Sequence, residues 1–221
     1  GLMLLFLNQL KQMGYTTSFT LYDMSRFGIP QKRERVILTA FKGKTKIPLM
    51  APTHGESHLA PFSTLEDAIG HLKNKKMNFE EFPKQRIIYY KKLNEGENWR
   101  SLPEHLQKEA LGKSYYLGGG KTGFYRRLSW SKPSPTLTTH PSRFPATDLC
   151  HPSKIRPLSI EEYAAIQTFP SSWKFYGSKT NIYKQIGNAV PVTFGEIVGQ
   201  HIINFNFNKR KLSGNNIVYP E

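Results

Sequence analysis

The sequence predicts an α/β fold, and three observations support that class. The N-terminal residues read as a helix followed by two strands, which is the order found at one end of an α/β sheet. Near the C-terminus, apolar residues recur at helical spacing. With 221 residues, 38% of them hydrophobic and 13% aromatic, the chain is long and apolar enough to bury a core, and this excludes a disordered polycation.

The first elements are predicted from residue spacing and from turn residues. Apolar side chains recur at helical spacing over residues 2–13, and Gly14 provides a stop. Residues 15–22 alternate as a strand does, and a turn at 27–30 leads into a second strand at 36–41. We therefore expect helix, strand, turn and strand in that order.

The middle of the chain carries weaker structural signals. Residues 42–61 read as loop, and Ser63 with Glu66 predicts a capping box that opens a short helix. Residues 114–152 are rich in Gly, Ser, Thr, Pro, Arg and Tyr, and they include β-prone pieces such as 136–139.

Regular structure is predicted again in the C-terminal part. Ser159 with Glu162 predicts a second capping box, whose helix ends before Pro170. Pro191 is placed to begin the last amphipathic helix. The polar end of the chain, with its KRK cluster, is predicted to be a loose tail.

The composition limits the partners and the compartment. A net charge of +15 favours a polyanionic partner, with nucleic acid first, a membrane surface second and a merely well-solvated protein third. No apolar run approaches the roughly 18 residues of a membrane span, and the N-terminal LMLLFL lacks the flanks of a secretory signal. A single cysteine, Cys150, excludes an internal disulfide framework and suits a reducing cytoplasm. Because the sequence starts at Gly1, we expect it to be cut from a longer protein.

The segment GIPQKRERV, residues 28–36, is the first candidate site. Arg33 and Arg35 are two positions apart at a predicted strand start, so they would share a face, with Gln31 on the same side. Two guanidinium groups placed in this way could bind a phosphate or a base edge. The alternative is an ordinary solvated strand end.

A second candidate is the segment RRLSWSKPSPTLTTH, residues 126–140. Basic residues, a tryptophan and short hydroxyl side chains alternate there on a backbone stiffened by prolines. Arginine can bind guanine edges or phosphates, and serine or threonine hydroxyls can bind either partner. Nucleic-acid contact is slightly favoured over a surface β-ribbon with ordinary polar decoration.

The segment YKQIGNAVP, residues 183–191, is the third candidate. Gly187, Asn188 and Ala189 precede a predicted helix start, where backbone amides and one amide side chain could approach a ligand closely. The alternative is a helix cap, since asparagine is a favoured N-cap residue, and on this segment alone the cap is the better interpretation.

Three other patterns are set aside. His54 and His58 are four apart, but Pro52 and Gly55 disfavour a helix there and no third metal ligand is near, so no metal is expected. The run of residues 120–122, GKT, lacks the upstream glycine of a phosphate-binding loop. Cys150 and His151 are adjacent, and adjacent side chains rarely face each other productively.

Taken in order, the segments GIPQKRERV, RPLSIEEYAAIQTFP and YKQIGNAVP resemble the last three conserved blocks of the DNA cytosine-5 methyltransferases. The stretch RRLSWSKPSPTLTTHP resembles the end of that family's target-recognition region. The resemblance extends from Leu2 to about Asn204. It implies a prokaryotic modification enzyme in the cytoplasm, associated with the nucleoid, that binds double-stranded DNA and S-adenosylmethionine.

The resemblance also implies a fold and a domain division. The fold would combine part of a Rossmann-like, S-adenosylmethionine-dependent large domain with a small, mostly β target-recognition domain. Residues 1–41 and 182–206 would belong to the large domain, residues 42–181 to the small domain, and residues 207–221 to the tail.

Roles are implied residue by residue. Gln31, Arg33 and Arg35 match the block that lines the active site and touches the flipped cytosine and its phosphates, with Arg35 the stronger candidate for the base. Residues that match the wall of the S-adenosylmethionine pocket are Asn188, Ala189 and Val190. Residues that fall where the family contacts DNA are Arg126, Arg127, Thr136, Thr138 and Thr139.

The family's Pro-Cys, Glu-Asn-Val and glycine-rich motifs are missing from this sequence. Cytosine-5 methylation needs a thiolate that attacks C6 and an acid that pairs with N3. Cys150 follows leucine, not proline, and is not expected to be that nucleophile. Two hypotheses follow. The chain is the C-terminal part or subunit of a methyltransferase, active with an N-terminal half, or it is a truncated, catalytically silent DNA-binding module.

Overall fold

A computed structural model describes residues 1–73, 75, 77–116, 123–142 and 149–212, with side chains described as far as residue 206. Within those residues there are eight α-helices and four strands. The helices are α1 (Leu2–Gln12), α2 (Leu65–Ile69), α3 (Lys84–Tyr90), α4 (Glu104–Leu111), α5 (Lys113–Tyr116), α6 (Ile160–Ile166), α7 (Lys179–Asn188) and α8 (Val192–Leu212). The strands are β1 (Tyr15–Asp23), β2 (Glu34–Lys42), β3 (Arg126–Arg127) and β4 (Leu149–Cys150).

The N-terminal helix and hairpin form as predicted. Gly14 ends α1 with a φ of 83°, a backbone conformation that glycine adopts without strain. Strands β1 and β2 pair antiparallel, with Leu21 opposite Val36. Because side chains alternate along a strand, Phe19, Leu21 and Val36 share one face of the hairpin.

The opposite face of the hairpin is covered by the C-terminal helix. Phe194 of α8 is fully buried and packs with Tyr22 and Phe27, whose rings lie 6.3 and 5.5 Å from its own. Farther along α8, the Phe205 ring lies 5.2 Å from that of Phe41. The last helix therefore returns to the first strands of the chain.

The middle of the chain packs around two hydrophobic clusters. One joins α2, α6 and α7 through fully buried side chains that include Leu65, Tyr163 and Tyr183. The other surrounds α3 and α4 and includes Tyr90 and Leu93.

The prediction of a mostly β middle region is wrong for the described residues. The only strands among them between residues 42 and 181 are β3 and β4, each two residues long and paired in parallel. The β-prone stretch 136–139 lies outside any strand. Pro133 and Pro135 remove backbone donors just before it, and Leu137 and Thr136 instead bond Gln31 and Lys32.

The first capping box lies one residue later than predicted. Thr64 caps α2 and exchanges hydrogen bonds with Asp67, whereas Glu66 pairs with Lys73 at 2.8 Å. The burial of Leu65 and Ile69 sets the rotation of this helix and so decides which residue is its cap. The second box, Ser159 with Glu162, is confirmed.

The C-terminal tail begins later than predicted. Residues 207–212 belong to α8, and residues 213–221 lie outside the described part of the chain. Among the described residues, none of the helices is both long and apolar enough to span a membrane.

Candidate functional site

Gln31 is fully buried just before β2, and its amide group bonds in two directions. Its Oε1 accepts the Leu137 N–H at 3.0 Å, and its Nε2 donates to Gln167 Oε1, also at 3.0 Å. A hydrogen bond that spans 136 residues therefore joins the N-terminal hairpin to the end of α6. Gln31 therefore connects Leu137 to Gln167 through buried hydrogen bonds.

Arg33 is 5% exposed and uses both terminal nitrogens inside the protein. They donate to the backbone carbonyls of Leu137, at 3.3 Å, and Gly187, at 3.0 Å. Burial, and after it the nearby Arg35, lowers the pKa of this guanidinium. Arg33 is thus a brace between the residue 136–139 segment and the end of α7.

Arg35 differs from Arg33 in its exposure to solvent. Its side chain is exposed, and its Nη1 donates to the Glu34 carbonyl at 2.6 Å. The two guanidinium groups are near enough for the Arg35 charge to act on Arg33, but Arg33 is buried and Arg35 is exposed. Of this pair, Arg35 is the residue whose guanidinium reaches the surface.

The α7–α8 junction contains the third predicted site. Gly187 is buried against the Thr138 backbone, where a Cβ atom would overlap the Thr138 carbonyl group. Asn188 is exposed, Ala189 is partly buried, and Val190 is 55% exposed. The N-cap interpretation of Asn188 is wrong, because Asn188 is the last residue of α7 and α8 begins four residues later, at Val192.

Gln167 was not predicted as a site residue, although it lies at the centre of this arrangement. It is fully buried, and its Nε2 donates to the carbonyls of Ile186 at 2.7 Å and Ala189 at 3.2 Å. The backbone carbonyl of Gln167 accepts the Val192 N–H at 3.1 Å. Only its position in the RPLSIEEYAAIQTFP block could have indicated it.

The predicted DNA-contacting arginines are both partly buried. Arg127 donates to the carbonyls of Pro152, at 2.8 Å, and Leu93, at 2.6 Å. Burial lowers the pKa of the Arg126 guanidinium. Both arginines lie in β3, beside the second hydrophobic cluster.

The three threonines lie close to the Arg33 brace. Thr136 Oγ1 donates to the Lys32 carbonyl and Thr138 Oγ1 to the His140 carbonyl, at 2.8 and 2.7 Å. Thr139 is partly buried beside them. Since a hydroxyl that donates can still accept, Thr136 and Thr138 each keep acceptor capacity.

Cys150 is fully buried in β4, with its Sγ atom 3.6 Å from the carbonyl oxygens of His151 and Lys154. Its thiol faces the protein interior and is closed to solvent. The described residues also contain no group of three or more His, Cys, Asp or Glu side chains that could hold a metal ion.

Large apolar side chains are exposed on α1 and on the hairpin. None of the α1 residues is buried, and Leu2 is 86% exposed. The hairpin face formed by Phe19, Leu21 and Val36 is also exposed, each residue by about half. We call the exposed apolar residues of α1 together with this hairpin face the open apolar surface. Exposed large apolar side chains in such number are typical of a contact surface.

The sequence of this chain matches a known protein family. The family model described as C-5 cytosine-specific DNA methylase matches residues 3–204. The type II methyltransferase M.Eco47II of Escherichia coli is 42% identical over 191 residues, which are 83% of this chain and 45% of the relative. M.PspPI of Psychrobacter sp. (strain TA137) is 40% identical over 88% of this chain and 47% of its own length. The chain therefore spans about half the length of these curated relatives.

A solved structure shares the fold. A crystal structure from E. coli, described as a DNA modification methyltransferase encoded within a prophage, aligns with a TM-score of 0.52 at 17% identity. The alignment covers 90% of this chain and 62% of that one.

Proposed function

Because the chain belongs to the C-5 cytosine-specific DNA methylase family, we propose that it is the C-terminal part of a DNA cytosine-5 methyltransferase. In the assembled enzyme it would serve the transfer of a methyl group to C5 of a flipped cytosine in a specific duplex DNA sequence. Its type II relatives favour a place in a bacterial restriction-modification system, in the cytoplasm and on the nucleoid.

We assign residues 31–35 to the part of the site that faces the flipped base, and we call them the base-side wall. A flipped base must be held away from its stack, and a free guanidinium can bind both the base edge and a flanking phosphate. Arg35 has its side chain at the surface for this purpose, whereas Gln31 and Arg33 hold the backbone that carries it. The observation that carries the proposal is the contrast between an exposed Arg35 and a buried Arg33 that is bonded through both terminal nitrogens.

Cytosine-5 DNA methyltransferases use S-adenosylmethionine, and the α7–α8 junction is assigned to its pocket wall. Asn188 offers an exposed amide, and Val190 an exposed apolar side chain, on a backbone that Gln167 fixes. A polar group and an apolar surface side by side suit a ligand that has both a nucleoside and an amino-acid portion. The bound cofactor supplies the methyl group.

DNA contact is assigned to the chain's basic side chains and to residues 136–139, which we call the threonine segment. The net charge of +15 favours binding to the phosphate backbone. We assign base or backbone contact to Arg126, Arg127, Thr136, Thr138 and Thr139. Since Arg127 already bonds two carbonyl groups through part of its guanidinium, it would contact DNA with its remaining donors.

An N-terminal half is needed to complete the chemistry. Cys150 is buried and cannot attack C6, so the thiolate, the acid and the glycine-rich loop must come from another segment. The open apolar surface is exposed in this chain and offers that half a place to dock. A separate subunit and a preceding part of the same polypeptide both fit this arrangement.

The test is transfer of labelled methyl groups from S-adenosylmethionine to unmethylated genomic DNA. Activity is expected only when this chain is combined with an N-terminal half from a relative. Activity of this chain alone would overturn the assignment of the nucleophile. Inactivity of both preparations, with DNA binding retained, would favour the second candidate, a catalytically silent DNA-binding module.

A further inference from the structure

Two buried glutamines form a directional chain of amide hydrogen bonds. The Leu137 N–H donates to Gln31, Gln31 donates to Gln167, and Gln167 donates to the carbonyls of Ile186 and Ala189. The N–H at one end can only donate, and the carbonyls at the other can only accept. Neither amide can therefore turn over without losing bonds.

The backbone around Gln167 holds the same junction. The backbone carbonyl of Gln167 accepts the Val192 N–H, and Thr168 Oγ1 accepts the Thr193 N–H at 2.9 Å. Thr168 has a φ of 58°, which is strained for a residue with a branched side chain. Such strain persists where the surrounding structure requires it, and here it aims the hydroxyl at the start of α8.

We propose that Gln167 is a positioning residue for the methyl transfer. Its side chain acts on the protein backbone, including the Ala189 carbonyl of the assigned pocket wall, and is not assigned a contact with the base or the cofactor. It fixes the α7–α8 junction, which carries Asn188 and Val190, relative to Gln31 and so to the segment that carries Arg35. This inference rests on the proposed function, because it names the residue that holds the base-side wall and the S-adenosylmethionine pocket wall in fixed positions relative to each other.

The variant that tests the proposal is Gln167→Met, which keeps the side chain's length but removes both donors and the acceptor. Gln107→Met is the matched control. The Gln107 amide also donates to two backbone carbonyls, those of Arg100 at 3.0 Å and Leu102 at 2.7 Å, but Gln107 lies within α4, which carries no residue of either wall.

The first measurement uses the enzyme assembled from this chain and an N-terminal half. Misplacement of reacting groups by about 1 Å can cost roughly 10²-fold in rate. We expect Gln167→Met to lower kcat/KM for S-adenosylmethionine by about that factor and to leave the affinity for duplex DNA unchanged. Unchanged kinetics, or an equal loss in Gln107→Met, would overturn the proposal.

The second measurement does not depend on activity. Amide hydrogen exchange of this chain should become faster at Leu137 and at Val192 together in Gln167→Met, and at neither in Gln107→Met. Faster exchange at Val192 alone would contradict the link through Gln31. If the wild-type assembly is inactive, the proposed function fails, and the exchange result still decides whether Gln167 joins the two segments.

Discussion

At the scale of single residues, much of the order around the site comes from buried polar side chains that have found partners. A buried polar group without a hydrogen bond costs more free energy than a bonded one contributes. Gln31 and Gln167 avoid that cost by bonding each other and the backbone, and Arg33 avoids it by bonding two backbone carbonyls. Their bonds, and not the sheet, connect the threonine segment to α7.

The contrast between Arg33 and Arg35 yields the first prediction. Arg35→Ala should abolish methylation by the assembled enzyme and leave the free energy of unfolding nearly unchanged, because its side chain is exposed. Arg33→Ala should instead lower the free energy of unfolding by about 2–3 kcal/mol, since it leaves the buried carbonyls of Leu137 and Gly187 without donors. Urea titrations and methylation assays on both variants measure this. Normal methylation by Arg35→Ala would remove Arg35 from the site.

At the scale of elements, the cap of α2 gives a second prediction. Thr64→Ala should cost about 1 kcal/mol, because the hydroxyl accepts the Asp67 N–H at the helix start. Ser63→Ala is the matched control and should have little effect. Thermal unfolding of the two variants distinguishes the caps, and a larger loss in Ser63→Ala would move the helix start back by one residue.

The segment around α6 gives a third prediction, concerning pH. His151 Nδ1 accepts the N–H groups of Ser153 and Lys154, each at 3.1 Å, and its Nε2 lies 3.4 Å from Glu162 Oε1. Burial lowers the His151 pKa to about 4; the Glu162 charge opposes this, while Arg156, Lys154 and Arg127 add to it. The unfolded chain therefore takes up this proton first as the pH falls.

It follows that the stability contributed by neutral His151 is complete above a pH of about 6.5 and is lost as the pH falls toward about 4. The variant His151→Asn keeps an acceptor near the Nδ1 position and cannot titrate. Its free energy of unfolding should fall less between pH 7 and pH 5 than that of the wild type. Equal losses in the two proteins would show that another group titrates.

The α2 cap also shows how far local sequence can predict structure here. The residues STLED contain two overlapping capping patterns, Ser63 with Glu66 and Thr64 with Asp67. The pattern cannot choose between them, because the choice depends on burying Leu65 and Ile69 against α6 and α7. By contrast, the hairpin, the Gly14 stop and the α6 box have one local solution each, and they are confirmed.

The candidate site was predictable only in part for the same reason. The motifs identified Gln31, Arg33 and Arg35, but strand alternation could not indicate that Gln31 and Arg33 are buried while Arg35 is exposed. What buries Gln31 and Arg33 is contact with Leu137, Gly187 and Gln167, residues more than 100 positions away in the chain. A periodicity argument cannot reach such contacts.

At the scale of the whole molecule, the open apolar surface yields the fourth prediction. Leu21 is 57% exposed on the hairpin face, and Leu21→Thr should weaken assembly with an N-terminal half and reduce self-association of this chain. Threonine keeps strand propensity, so the hairpin should persist. Ile88→Thr, at a site 48% exposed on α3, is the control. Sedimentation of both variants would reveal the difference, and an equal effect of the two changes would argue against this surface.

The bond between Arg33 and Gly187 also has a consequence for the order of synthesis. These residues are 154 positions apart, so a ribosome that adds about 5–20 residues per second needs on the order of 10 seconds between them. During that interval the hairpin has been made, but α8, which covers one of its faces, has not. The hairpin therefore stays uncovered until α8 has been made, and this is the period in which a chaperone or an already folded N-terminal half would protect it best.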